Sequence, residues 1–105
     1  MDGSFRIEGT ETVAAGRNYR IKRVEIAPGE SLGEHQYRHR TEQFVVLSGE
    51  ARILRGEAVV RAAADASVFI PVGMPHCIEN PGDGTLSVLQ IQVGSRFEED
   101  DFQGA

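Results

Sequence analysis

No window of this chain sustains an apolar repeat at helical spacing, whereas short β-rich runs recur between glycine and proline turns. The core must therefore be built from strands. "YRIKRVEIA" (19–27), "EQFVVLS" (42–48), "SVFIP" (67–71) and "TLSVLQIQV" (85–93) read as strands, and "ARIL", Gly56, "EAVV" reads as a hairpin. Pro28-Gly29, Ser48-Gly49 and "NPGDG" (80–84) supply the turns. The first run puts Tyr19 and Ile21 on one parity and Val24 and Ile26 on the other, which predicts a bulge near Arg23. "EAVVRAAADA" (57–66) is the only helical competitor; without an apolar stripe it reads as strand then turn. Many short strands between turns predict an all-β sandwich or jelly-roll barrel, a form able to hold a ligand in its mouth.

At 105 residues the chain is one domain, its core expected over about 19–94, preceded by an N-terminal strand and followed by an acidic tail, "EEDD" at Glu98 to Asp101, read as solvated. The net charge is -5 and no basic run is present, so nucleic acid is an unexpected partner. The start, "MDGSFRIEGTE", lacks the basic and apolar regions of a signal peptide, and no apolar run approaches the ~18 residues that cross a bilayer. A cytoplasmic protein without membrane contact is expected. The single cysteine, Cys77, can form no internal disulfide and reads as a small buried hydrophobe.

The polar residues concentrate in "GEHQYRHRTEQF" (33–44), which holds two of the three histidines. In an extended segment His35, Tyr37 and His39 share one face, while Arg38 and Arg40 face away onto a solvated surface. Gly29 is followed by His35, Tyr37, Glu42 and Gly49 at the spacing G-x5-H-x-(H)-x4-E-x6-G; later Asp65, Pro71, Gly73, His76 and Asn80 follow (G)-x5-P-x-G-x2-H-x3-N, with Tyr37 and Asp65 at the bracketed positions. This paired pattern resembles the cupin family. The resemblance implies a double-stranded β-helix, the jelly-roll cupin barrel, in which His35, Glu42 and His76 come from separate strands to hold one divalent metal ion. Imidazole nitrogens and a carboxylate suit zinc, manganese, iron, nickel or copper. Pro71 and Gly73 would form the turn that sets His76, and Asn80 the turn after it.

Within the cupins the chain is similar to the C-terminal domain of bifunctional type II mannose-6-phosphate isomerase / mannose-1-phosphate guanylyltransferase. The similarity rests on "PGESL", "HRTE" at His39 to Glu42, "LSGEA", "IPVGMPH", "ENPG" and "EEDD", across roughly residues 20 to 101. That family carries glutamine at the position of His35 and histidine at that of Tyr37. The resemblance implies a sugar-phosphate pocket and aldose-ketose isomerisation by proton transfer between adjacent carbons.

Tyr37 is expected to hydrogen-bond a bound water or substrate, with direct ligation or simple barrel filling as alternatives, because a phenol with a pKa near ~10 is a poor ligand at neutral pH. His39 is a candidate proton carrier, a replacement ligand if the strand bulges, or a rim residue. The leading expectation is a small metal-dependent isomerase acting on a carbohydrate or similar polar small molecule, with Tyr37 and His39 as catalytic candidates. The alternatives are a non-haem iron dioxygenase, suggested by the two-histidine, one-carboxylate set, and a noncatalytic small-molecule-binding module. A homodimer is expected because small jelly rolls leave sheet edges to cover.

Overall fold

The computed structural model describes residues 7–95 and residue 97. Eight strands follow in order: β1 (Ile7–Ala15), β2 (Tyr19–Ile26), β3 (Arg40–Ser48), β4 (Glu50–Arg55), β5 (Ala58–Ala63), β6 (Ser67–Ile70), β7 (His76–Glu79) and β8 (Leu86–Gly94). Five form one antiparallel sheet in the order β1-β2-β8-β3-β6, and three form the other, β5-β4-β7. Among the described residues no helix is long and apolar enough to cross a membrane. The "EEDD" tail lies outside the described residues.

Strand alternation decides what faces inward. On β3 Arg40, Glu42, Phe44 and Val46 are buried while the residues between them are half-buried, a period of two that fixes one inner face. The registers align Val24 with Val88, Ile26 with Leu86, and Val46 with Val88. These residues, with Ile53, Ala51 and Ala62 from the smaller sheet and Ile70 and Ile78, make one continuous core. Interdigitation of two inner faces is the usual way a sheet sandwich removes its apolar side from water.

The hairpin at Gly56 and the strand-then-turn reading of 57–66 agree with β4, β5 and the turn that follows. Asp65 adopts φ +78°. It stands where the motif has glycine, and Asp is among the few side chains that tolerate the left-handed region. Asn80 is buried and ties its turn from within, donating through Nδ2 to the carbonyls of Ile26 (2.9 Å) and Gly84 (2.7 Å) and accepting from the Gly82 amide at 3.0 Å.

Two expectations are corrected. The pairing of β2 with β8 runs unbroken through Arg23, and the irregularities fall instead in β1, between Ile7 and Gly9 and between Thr12 and Ala14. β2 is therefore not slipped: it carries apolar residues on both faces. The alternation expected from His35 through Arg40 is also broken, since residues 38–39 form a bend and β3 begins at Arg40. The bend changes which parity faces inward, so Arg40, expected on the solvated side, is buried at 7% exposure on the same face as Glu42. Gly94 permits this path, because a Cβ there would overlap the His39 carbonyl and the Arg40 backbone.

Candidate functional site

His35 lies in the irregular approach to β3 and His76 opens β7, yet the two are exchange-paired: each amide donates to the other's carbonyl at 2.9 Å. Directly opposed residues in such a pair carry their side chains to the same side, and the imidazole centroids lie 6.3 Å apart. Tyr37 joins them, stacked on His35 at 5.9 Å and tilted against His76 at 6.0 Å. The turn before β7 is set as expected: Gly73, at φ +83°, donates its amide to the Tyr37 carbonyl at 2.8 Å.

Glu42 enters from β3 and is 2% exposed. Its Oε1 lies 2.5 Å from His76 Nε2, and its Oε2 accepts from Gln90 Nε2 at 2.6 Å and from Gln92 Nε2 at 2.8 Å. Gln92 in turn accepts from Arg40 Nη1 at 3.3 Å. The Arg40 guanidinium lies 4.2 Å over the Tyr37 ring and 4.9 Å from that of Phe97, which also receives Arg20 at 4.8 Å. Among the described residues no buried side-chain nitrogen or oxygen lacks a hydrogen-bond partner, which a buried polar network must achieve to be tolerated.

Both histidines are oriented through the other ring nitrogen. Nδ1 of His35 donates to the Gly33 carbonyl at 3.0 Å and Nδ1 of His76 to the Met74 carbonyl at 2.9 Å. In that tautomer Nε2 presents a lone pair, so His76 Nε2 and Glu42 Oε1 would oppose lone pair to lone pair unless a cation sits between them. At the observed separation that cation is a proton; the same two lone pairs are the donors a divalent ion would take in its place. Burial alone would raise the Glu42 carboxyl, but hydrogen bonds from His76, Gln92 and Gln90 and the His76 charge hold it below the usual carboxylate range. Burial pulls His76 down, yet the hydrogen bond and charge of Glu42 lift it above the ordinary imidazole value. For His35 burial prevails and its value is lowered.

The structure thus brings His35, Tyr37, Glu42 and His76 together. Among the described residues no three His, Cys, Asp or Glu side chains converge tightly enough to hold a metal ion; what is assembled is the Glu42–His76 pair with His35 one ring away. His39 is half-buried at the bend, displaced from the alternation that would have continued the His35 and Tyr37 face. Cys77 is buried, its thiol pushed up mainly by burial, in keeping with a core residue. A small cavity of about 10 Å³ opens beside His35, Glu42, Phe44, His76 and Gln90.

Reading the sequence missed Arg20, Lys22, Arg40, Gln90 and Gln92. Lys22 pairs with Gln90 and Arg20 with Gln92 across β2 and β8, so both cations share the Glu42 face. Burial lowers the Lys22 ammonium, and repulsion from Arg20 and Arg40 lowers it further, against a smaller opposing pull from Glu42. The signal was available in the period-two order of β8, where Leu86 and Val88 give way to Gln90 and Gln92 on one face.

A double-stranded β-helix with this paired histidine and carboxylate cluster at one end of the barrel is a cupin fold. The cupin domain of Schizosaccharomyces pombe Cnp3 superimposes with a TM-score of 0.78 at 16% identity, covering 87% of this chain and 69% of that one. A predicted oxalate decarboxylase from Thermotoga maritima gives a TM-score of 0.71 at 27% identity over 74% of this chain and 68% of its own. Residues 4–104 match the family described as Mannose-6-phosphate isomerase C-terminal, and the chain belongs to that family. The mannose-1-phosphate guanylyltransferase ManC of Salmonella typhimurium is 38% identical over 91 residues, 87% of this chain and 19% of its own length. The chain spans about a fifth of the length of that curated relative.

Proposed function

We propose that the polar end of the barrel is a metal-dependent site for isomerisation of a phosphorylated carbohydrate. The observation that carries this reading is the buried Glu42–His76 contact, two donors held on separate strands with their lone pairs directed at one point. His35, Glu42 and His76 are the residues that would hold a divalent ion. Bound there, such an ion supplies Lewis-acid polarisation of a substrate carbonyl.

The remaining roles belong to the chain itself. Arg20, Lys22 and Arg40 bring three cations to the face that carries the single carboxylate Glu42, a balance suited to a substrate anion such as phosphate. Tyr37, packed between His35, His76 and Arg40, is the candidate to hydrogen-bond a substrate hydroxyl through its phenol. Gln90 and Gln92 hold Oε2 of Glu42, so that Oε1 alone is presented toward His76. His39 at the bend is the candidate for moving a proton between adjacent carbons, because an imidazole carries both a donor and an acceptor nitrogen.

The lining of the cavity favours a second reading, a noncatalytic binding module, because neither Tyr37 nor His39 is among the residues that line it. One experiment separates the two: interconversion of mannose-6-phosphate and fructose-6-phosphate is assayed with zinc, manganese, iron and nickel, for the wild type and Glu42→Ala. Metal-dependent turnover lost in Glu42→Ala supports the isomerase. Binding of the sugar phosphate without turnover supports the module.

A further inference from the structure

We propose that Gln90 is a fourth donor of the polar site and decides which metal the site prefers, its Oε1 completing the donor set while its Nε2 holds Glu42. The inference rests on the metal-site reading given above. A carboxylate oxygen only accepts, so the Gln90 amide must turn its nitrogen toward Glu42 Oε2, 2.6 Å away. Its oxygen is left at the other end. Among the described residues nothing donates to that oxygen, not even Lys22, which is the partner of Gln90 across β2 and β8. Nor is it sealed in the core, because among the described residues no buried side-chain oxygen lacks a partner.

Gln92 shows the contrast on the same strand and the same face. Its Nε2 donates to the same Glu42 oxygen, but its Oε1 already accepts from Arg40 Nη1. Of the two amides that hold Glu42, only Gln90 therefore has an oxygen to spare. It is also Gln90, and not Gln92, that lines the cavity with His35, Glu42 and His76.

The size of that cavity identifies what the spare oxygen can meet. A volume of about 10 Å³ admits about one water-sized sphere. An ion fits there and a sugar does not. His35, Glu42 and His76 supply two nitrogens and one oxygen, and Tyr37, at the fourth motif position, carries a phenol that holds its proton at neutral pH. An amide carbonyl adds a lone pair without adding charge, so it can stand beside Glu42 where a second carboxylate would repel it. Carbonyl and carboxylate oxygens suit manganese, whereas imidazole suits zinc. The fourth oxygen thus moves the preference of the site from zinc toward manganese.

The test is calorimetric titration of chelator-treated protein with zinc and with manganese, for the wild type, Gln90→Leu and Gln92→Leu, with folding checked by circular dichroism. The ratio of the two affinities is the readout. Gln90→Leu should lose at least about tenfold more affinity for manganese than for zinc. Gln92→Leu removes the same kind of support from Glu42 but no spare oxygen, and should weaken both metals by one factor. Gln90→Met, which keeps the length of glutamine and offers only a soft thioether, should shift the ratio in the same direction and decides the matter if Gln90→Leu does not fold. An equal loss for both metals in the Gln90 variants, partial or complete, would make Gln90 a support for Glu42 alone and overturns the proposal while leaving the metal site standing. A wild type that binds neither metal overturns both.

Discussion

The inner face of the larger sheet has two ends of opposite character. Toward one, Val24, Ile26, Val46, Leu86 and Val88 meet with at most 2% exposure; toward the other, Arg20, Lys22, Arg40, Glu42, Gln90 and Gln92 occupy the same face of the same three strands. Each strand makes the change once: after Lys22 on β2, at Phe44 on β3, and before Gln90 on β8. The apolar end needs only shape and area to be stable. At the polar end every buried donor must find an acceptor, and a network of that cost is kept where it positions chemistry. The difference teaches that this barrel divides its labour along the strand, with stability at one end and the candidate site at the other.

That division is most exposed to test at Leu86, which pairs with Ile26 and is fully buried. Leu86→Ala should cost about 2–5 kcal/mol in urea unfolding through the cavity it leaves, with metal affinity of the folded fraction unchanged. A loss of affinity as large as the loss of stability would erase the distinction between the ends.

Gln92→Leu is next in size. It deprives Glu42 Oε2 of one donor and Arg40 of an acceptor, and should destabilise by about 1–3 kcal/mol. It should also weaken metal binding measured by calorimetry, although Gln92 is not a proposed ligand. Unchanged metal affinity would show that Glu42 needs no support from that side.

A smaller effect is expected from Arg40→Lys, about 0.5–2 kcal/mol, because an ammonium keeps the charge but loses the planar stacking on Tyr37. Chemical denaturation measures it. A neutral result would mean that the stacked guanidinium contributes charge alone.

The smallest is a pH dependence of the metal-free protein. The folded value of His76 is raised, so its contribution is complete below its unfolded value of about 6.5 and is lost as pH rises through the folded value. His35 has the opposite sign: its folded value is lowered, so its contribution is present above about 6.5 and is lost as pH falls. Glu42, also lowered, contributes above about 4.3 and loses that contribution in acid. Urea midpoints for wild type and His76→Asn from pH 4.5 to 9 should therefore approach one another above 6.5. A gap that widens there would contradict the Glu42–His76 pairing.

How much of this was legible depended on whether chemistry or path decided the residue. The strands after Gly49, the hairpin at Gly56 and the turns at Gly73 and Asn80 follow from local signals that nothing in the tertiary structure overrides. The convergence of His35 on His76 was implied by motif spacing and is realised by a two-residue backbone bridge. Arg40 was misplaced because alternation was carried straight through Arg38 and His39, and a bend reverses parity without any glycine or proline to announce it. Gln90 and Gln92 read as ordinary strand residues until the register set them against Glu42 and Lys22. The slip at Arg23 was a second apolar face, which sequence alternation alone does not separate from a bulge.

The central claim is that Glu42 and His76 form the heart of a metal site, and calorimetric titration of chelator-treated protein with zinc, manganese, iron and nickel tests it most directly. The account predicts one ion per chain at about 10 µM or tighter for at least one metal. It predicts a loss of at least about a hundredfold in Glu42→Ala and in His76→Ala, and little change in His39→Ala. Binding by Glu42→Ala equal to wild type, or wild-type binding weaker than about millimolar for every metal, would contradict it.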